Sequence, residues 1–241
     1  MVNAMLMSSS KKDNLGYLEH ASSQLKTLLG SGLRDVLYIP YAAITPTYDE
    51  YESLAAEPFS RLGYTIRSIH HEPDPLRAVS EAGAIAVAGG NTFALLDRLY
   101  HGGLVDPIRR RVVDEGIPYV GWSAGTNVAT PSIRTSNDMP IVQPASFEGL
   151  GLVPFQINPH FVSGKPAGHN GESREERLTE FVTLNSNEEV LALYEGCALH
   201  VQGDTGTILG EREGIVFSHN CQPRTIAAGK TFGLSEIKGK K

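Results

Sequence analysis

Cysteine is scarce in this chain, and that scarcity narrows the class of protein. Its 241 residues include two cysteines, Cys197 and Cys221, which cannot build a disulfide framework. Such usage is typical of a reducing compartment, and we predict a cytoplasmic protein. A secretory signal is not expected at residues 1–12, because the charges there follow the short apolar group instead of preceding it.

Long apolar runs and an excess of positive charge are also missing. No run approaches the roughly 20 apolar residues of a membrane-spanning helix, so we expect no membrane partner. The 21 Lys and Arg are outnumbered by 27 Asp and Glu, for a net charge of -6. A chain without a basic field attracts phosphate backbones poorly, so nucleic acid is not an expected partner. The hydrophobic fraction of 41% argues against disorder.

Short apolar runs alternate with helical patterns as far as residue 120. Strands are predicted at residues 36–39, 64–69, 84–88 and 117–120, with helices between them. This alternation predicts a doubly wound, mostly parallel α/β sheet with helices on both faces. Beyond residue 190, short runs separated by turn residues predict antiparallel strands that extend one edge of that sheet. We interpret residues 1–241 as a single domain.

A serine at a strand end is the first candidate for chemistry. The string G-W-S-A-G at residues 121–125 matches G-x-S-x-G directly after a predicted strand. A sharp turn there would expose the Ser123 hydroxyl, and the N–H of Ala124 could bind a developing oxyanion. The string alone is common by chance and also fits a plain glycine-rich turn. Its position after a strand favours the nucleophile.

A second glycine turn follows the strand at residues 84–88. Its backbone amides could supply the other oxyanion donor, and Gly90 is the best candidate. The alternative is an ordinary strand-to-helix turn or an anion nest. The glycines do not fit G-x-G-x-x-G and no P-loop lysine is present, so a nucleotide site is not predicted.

A serine nucleophile needs a base and a carboxylate that orients it. His160 stands out among eight histidines, because a short apolar strand breaks beside it at Pro159. Asp138 lies between Ser123 and His160, in the order Ser, Asp, His that known triads use. Glu195, which follows another apolar strand, is a rival for the same role. The remaining histidines are scattered and form no H-E-x-x-H string, so we expect neither a metal nor a cofactor.

With these motifs the sequence resembles the peptidase E family of α-aspartyl dipeptidases. The likeness runs from about residue 15 to about residue 217. N-D-M-P and I-N-P-H-F are its most specific strings. The matching segments are residues 17–21, 39–42, 47–51, 89–93, 121–125, 133–142, 156–161 and 168–177.

The resemblance implies a serine peptidase on a fold similar to class I glutamine amidotransferases, acting on dipeptides that begin with aspartate. Ser123 becomes the nucleophile and His160 the general base. The third role has been assigned in the family to either carboxylate, and we favour Asp138 because it belongs to the more distinctive string. The departures are Ala88, where the family often has a third glycine, and Thr126 after the elbow.

Preference for aspartate requires a cation that faces the substrate's side-chain carboxylate. Arg174 is our candidate, since a guanidinium can bind a planar carboxylate through two hydrogen bonds. The alternative is a solvated arginine at a helix start. The loop at residues 163–171 is rich in glycine and is predicted to act as a lid.

Other functions keep part of this pattern. A cyanophycinase-like hydrolase of aspartyl polymers would retain Ser123 and His160 but needs an open groove. A non-catalytic binding module on the same scaffold would be expected to lack the nucleophile or the base. A glutamine amidotransferase is disfavoured, because its nucleophile is cysteine. The expected partner is a small peptide, and a homodimer is compatible with the sequence.

Overall fold

The computed structural model describes residues 1–165, 167, 168 and 170–237. The strands are β1 (Asn3–Met7), β2 (Asp35–Ile39), β3 (Thr65–Ser68), β4 (Ile85–Val87), β5 (Tyr119–Trp122), β6 (Gln156–Phe161), β7 (Val190–Tyr194), β8 (Ala198–Gln202), β9 (Thr205–Leu209), β10 (Gly214–Phe217), β11 (Arg224–Ile226) and β12 (Thr231–Gly233). The α-helices are α1 (Ser22–Leu29), α2 (Tyr48–Arg61), α3 (Pro75–Glu81), α4 (Thr92–His101), α5 (Val105–Val113), α6 (Ala124–Val128) and α7 (Arg174–Leu184).

An eight-stranded sheet forms the centre of the molecule, in the order β12-β9-β8-β1-β5-β4-β2-β3. Strands β1, β5, β4, β2 and β3 pair in parallel, whereas β8, β9 and β12 extend the sheet in antiparallel fashion. The predicted α/β class with a mostly parallel sheet is therefore confirmed. Strand β1, which was not predicted, lies in the middle of this sheet between β5 and β8.

Helices cover both faces of the large sheet. Consecutive residues of a strand point to opposite faces, so each strand contributes apolar side chains to both helical layers. On β2, Val36 and Tyr38 pack with the apolar residues of α1 and α2. Leu37 and Ile39 face the other side, where they join the apolar residues of α3, α4, α5 and α6. Burying both faces explains why β2 and β4 are apolar runs, whereas β3 at the sheet edge, with the sequence T-I-R-S, is not.

A second sheet of four strands, in the order β11-β10-β7-β6, was not predicted. The C-terminal strands divide between the two sheets, which corrects the expectation that all of them extend one edge. Strand β7 pairs in parallel with β6 and is buried on both faces. Leu191 and Leu193 belong to the main core, whereas Val190, Ala192 and Tyr194 pack with the apolar face of α7. The apolar run alone does not distinguish this position from a strand at the edge of the first sheet.

Within the described residues, no helix combines the length and the apolar character needed to cross a lipid bilayer.

Candidate active site

Ser123 occupies a strained turn between β5 and α6. Its backbone angles are φ 51° and ψ −110°, in a region that a residue with a side chain rarely adopts. Such strain is of the order of 1–3 kcal/mol and is concentrated at functional sites. A Cβ atom at Gly121 would overlap the carbonyl of Gly125, and one at Gly125 would overlap the carbonyl of Val87. The two glycines of the motif are therefore required by close packing of the backbone.

His160 lies on β6 at an irregularity in the strand. Its φ is 54°, and the pairing of β6 with β7 shifts register between Asn158 and Phe161. A bulge of this kind redirects a side chain. Here it places His160 Nε2 at 2.9 Å from Ser123 Oγ, within hydrogen-bonding distance.

Glu195 follows β7 and completes a line of three side chains. Its Oε1 lies 2.7 Å from His160 Nδ1. With Nδ1–H donating to the carboxylate, Nε2 is left to accept the hydroxyl proton of Ser123. The Glu195 side chain is 62% exposed and that of His160 is 38% exposed, so water partly screens this pair.

Asp138 lies elsewhere. Its Oδ2 accepts hydrogen bonds from Thr92 N at 2.8 Å, from Thr92 Oγ1 at 2.5 Å and from Ser136 Oγ at 3.2 Å. A carboxylate at this end of α4 is favoured by the orphan amides and the helix dipole. Our prediction that Asp138 is the carboxylate partner of His160 is therefore wrong, and the rival Glu195 holds that position. Asp138 instead anchors the turn that follows Gly90.

The two amides expected to form an oxyanion hole flank the serine. Ala124 is the first residue of α6, where an amide has no partner within the helix. Gly90 has φ 134°, and its amide meets no hydrogen-bond acceptor among the described residues. A Cβ atom at Gly89 would lie 3.1 Å from Ser123 Cβ, so this glycine turn packs directly against the serine.

Ser8 connects the parts of the site, and sequence reasoning missed it. It is fully buried at the carboxyl end of β1. Its Oγ donates to Leu193 O at 2.9 Å and accepts the His160 amide at 2.8 Å. The carbonyl of Met7 accepts the Ser123 amide at 3.1 Å. The available signal was a polar run directly after a short apolar segment, which is typical of the carboxyl edge of a parallel sheet.

A cleft of about 240 Å³ opens beside these residues. Trp122 and Tyr17 form an aromatic wall, with Trp122 Nε1 donating to Tyr17 Oη at 2.9 Å. Burial raises the pKa of Tyr17, so its phenol remains neutral. The cleft is lined by Ser9, Ser10, Lys11, Tyr17, Tyr51, Leu54, Gly89, Gly90, Trp122, Ser123, His160 and Glu195.

Arg174 begins α7 and is half-buried. Its guanidinium donates to Asn137 Oδ1, and Asn137 Nδ2 donates to Pro159 O at 2.8 Å, beside His160. Burial lowers the pKa of Arg174, and the charge of Arg177 adds to this effect. Arg174 forms no ion pair with any residue that the structure describes. It is absent from the lining of the cleft, where Lys11 is the described cation.

The loop predicted to act as a lid is attached to α7 at its beginning. Ser163 Oγ and Gly164 N both donate to Glu175 Oε1 at 2.8 Å. Pro166 and His169 lie outside the described residues. Closure of this loop stays a prediction.

Comparisons with known proteins agree with this architecture. The family model of peptidase family S51 matches residues 4–209. Peptidase E of Haemophilus influenzae is 48% identical over 233 residues, covering 96% of this chain and 99% of that protein. Peptidase E of Pasteurella multocida is 46% identical with the same coverage, 96% and 99%. A solved peptidase from an acI-B1 actinobacterium shares the fold, with a TM-score of 0.72 over 97% of each chain and 20% identity. This chain belongs to peptidase family S51.

Proposed function

We propose that this peptidase is a serine-type dipeptidase that hydrolyses dipeptides with an N-terminal aspartate through an acyl-enzyme on Ser123. One observation carries the serine mechanism. Ser123 Oγ, the His160 ring and Glu195 Oε1 form a continuous hydrogen-bonded line, with separations of 2.9 Å and 2.7 Å, at the edge of a cleft.

The reaction follows from the proton positions along this line. Ser123 Oγ forms a bond to the peptide carbonyl carbon while its proton passes to His160 Nε2. When the tetrahedral intermediate collapses, the C–N bond breaks and Nε2 returns that proton to the leaving amine. Water then attacks the aspartyl ester through the same base, which releases aspartate and restores the serine.

The intermediate places a negative charge on the former carbonyl oxygen. The amides of Gly90 and Ala124 are the proposed donors to it, since both lie in turns that flank Ser123. Glu195 accepts Nδ1–H and thereby stabilises the imidazolium that forms on His160. Neither contribution requires a metal or a cofactor.

The preference for aspartate is proposed to depend on Arg174. A half-buried guanidinium that pairs with no described carboxylate is suited to receive one from a ligand. Its contact with Asn137 places it close to the β6 bulge that carries His160. The cleft of about 240 Å³ suits a dipeptide better than a long aspartyl polymer, which would need an open groove.

Ser123→Ala is the direct test of the serine mechanism. The hydroxyl contributes chemistry rather than packing, so the variant should fold normally and lose nearly all hydrolysis. Hydrolysis of Asp-Leu at constant protein concentration, together with a thermal melt, measures both properties. Full activity in a well-folded Ser123→Ala sample would refute the proposal.

A panel of dipeptides that differ only at the first residue tests the specificity. Asp-Leu should be cleaved faster than Asn-Leu, Ala-Leu or Glu-Leu, by up to about ten-thousandfold, because the other residues leave the half-buried cation unpaired or misplace the scissile bond. Arg174→Ala should erase most of this preference by lowering kcat/KM for Asp-Leu. Arg174→Lys should restore it only in part.

Lys11→Ala is the matched control, since Lys11 is the cation on the lining of the cleft. It should change the preference for Asp-Leu little. If Lys11→Ala erases the preference and Arg174→Ala does not, the acidic pocket is built around Lys11. Cleavage of Ala-Leu as fast as Asp-Leu by the wild type contradicts an acidic pocket altogether. Faster cleavage of an aspartyl polymer than of Asp-Leu would favour the cyanophycinase-like alternative.

A further inference from the structure

Four potential metal ligands meet on the surface formed by α2 and the turn after β3. Asp49 and Glu52 lie one turn apart on α2, so both side chains project from one side of the helix. His70 and His71 follow β3 in a short 3-10 helix. These histidines look scattered in the sequence, because the carboxylates that face them are about 20 positions away in the chain.

The spacing of the donor atoms suits a small cation. His70 Nε2 lies 2.8 Å from Asp49 Oδ1 and 4.0 Å from Glu52 Oε2. His71 Nε2 lies 3.3 Å from Asp49 Oδ1 and 2.8 Å from Glu52 Oε2. All four donor atoms fall within 4.8 Å of one another. A tetrahedral zinc ion bound at about 2.0–2.1 Å needs donors about 3.3 Å apart, close to the middle of these separations.

The surroundings also favour an ion. Ser68 Oγ lies 2.7 Å from His70 Nδ1. In a histidine that binds metal through one ring nitrogen, the other ring nitrogen usually forms a hydrogen bond that fixes the orientation of the ring. Within the described chain, no lysine or arginine forms an ion pair with Asp49 or Glu52. A metal ion binds histidine in its neutral form, so the bound set of two carboxylates and two imidazoles would carry a charge of about -2, which a divalent cation balances.

We propose that Asp49, Glu52, His70 and His71 form a binding site for Zn²⁺ or a chemically similar divalent transition-metal ion. Imidazole nitrogen suits such ions and is a poor ligand for Mg²⁺ or Ca²⁺. The site is separate from the catalytic serine, and none of its four residues lines the cleft.

The position of the site on α2 predicts a structural role for the bound ion. It would fasten the first turn of α2 to the turn after β3. The same helix supplies Tyr51 and Leu54 to the wall of the cleft. Bound metal is therefore expected to stabilise the fold and to hold that wall in place, without taking part in the chemistry at Ser123.

Direct binding measurements test the site on the full chain, purified with a chelator and then freed of it. Titration with Co²⁺ should give visible d–d bands of a four-coordinate ion, saturating at one equivalent. Zn²⁺ should displace Co²⁺, bind with the same stoichiometry by calorimetry, and raise Tm with its concentration. Ser68→Ala should weaken binding about ten- to hundredfold, by the loss of the hydrogen bond to His70.

The ligand variants decide the outcome. His71→Ala and Glu52→Gln should each weaken binding at least as much as Ser68→Ala does. His71 is largely exposed, with 56% of its side chain accessible, so its removal should leave the fold intact. His101→Ala is the matched control, because His101 is an exposed histidine that faces only Asp97 on its own helix. It should bind Co²⁺ and Zn²⁺ like the wild type.

Three results would overturn the proposal. The first is the absence of saturable binding by the wild type in the micromolar range. The second is one-equivalent binding that survives in the double variant His70→Ala/His71→Ala, which would place the ion elsewhere. The third is equal loss of affinity in His101→Ala, which would indicate non-specific association. Each would leave the cluster as a network of hydrogen bonds between imidazoles and carboxylates.

Discussion

Replacement of Glu195 by glutamine separates the charge of the carboxylate from its shape. The glutamine carbonyl can still accept a hydrogen bond from His160 Nδ1, but the negative charge 2.7 Å away is lost. In the proposed mechanism, the imidazolium that forms during attack by Ser123 then has no counter-charge. We therefore expect kcat to fall while KM for Asp-Leu changes little, because the loss is confined to the transition state.

The magnitude follows from the exposure of the pair. Two unit charges about 4 Å apart interact by about 1 kcal/mol in water and by about 4 kcal/mol at an effective dielectric constant of 20. Since the Glu195 side chain is 62% exposed, the lower half of that range applies, about 1–2.5 kcal/mol. The rate should fall by roughly five- to 70-fold. A buried aspartate in the same role is worth about ten-thousandfold.

Asp138→Asn is the informative comparison. Its carboxylate is bound to Thr92 at the start of α4, so removing the charge should lower thermal stability by about 0.3–1 kcal/mol. Any loss of activity should accompany loosening of the Gly90 turn and a lower Tm. Glu195→Gln should instead lose activity at an unchanged Tm.

Steady-state kinetics with Asp-Leu and thermal melts on the same samples measure both effects. A Glu195→Gln enzyme within twofold of wild-type kcat would refute the reasoning. A severe loss of kcat in Asp138→Asn at an unchanged Tm would contradict the assignment of Asp138 to the turn.

Two further predictions concern stability. Ser8→Ala leaves the His160 amide and the Leu193 carbonyl without their hydrogen-bond partner, which costs about 1–3 kcal/mol for each buried group. Tm should therefore fall by several degrees, and kcat should fall with it. An unchanged thermal melt would contradict this prediction. Desolvation lowers the pKa of His20, with a smaller contribution from Lys12, and desolvation alone lowers the pKa of His200. The unfolded chain therefore takes up these protons first as pH falls below about 6.5, and the free energy of unfolding decreases there, until the folded state also binds them. Urea unfolding at about pH 7 and about pH 5.5 should show the decrease, and the His20→Gln/His200→Gln variant should show less of it.

Local sequence signals predicted the parts of the fold whose patterns are strong. The strand before Ser123 and the alternation up to residue 120 follow from apolar runs bounded by glycine or proline. Strand β1 was missed because its five residues, N-A-M-L-M, lack the β-branched residues that favour strands, although they lie at the centre of the sheet.

In the candidate site, too, residues marked by short strings were predicted, whereas a contact that depends on strand pairing was not. Ser123 and His160 were predicted from short strings, and the structure brings them together. The choice between Asp138 and Glu195 depended on whether β7 lies beside β6, a pairing within the small sheet between two strands that α7 separates in the chain. The sequence favoured Asp138, because it belongs to the more distinctive string and lies between Ser123 and His160 in the chain. Geometry favours Glu195, because parallel pairing brings the ends of β6 and β7 to the same place.

The proposed nucleophile and its proposed base are carried by different sheets. Ser123 extends from β5 of the large sheet, whereas His160 and Glu195 extend from β6 and β7 of the small one. Activity therefore requires the large and the small sheet to remain packed together, and two such parts of a protein can open with different free energies. If the small sheet opens before the large one, hydrolysis should cease at a lower denaturant concentration than the one at which the parallel strands lose their hydrogen-exchange protection. The enzyme's own turnover then becomes a probe of sub-global unfolding.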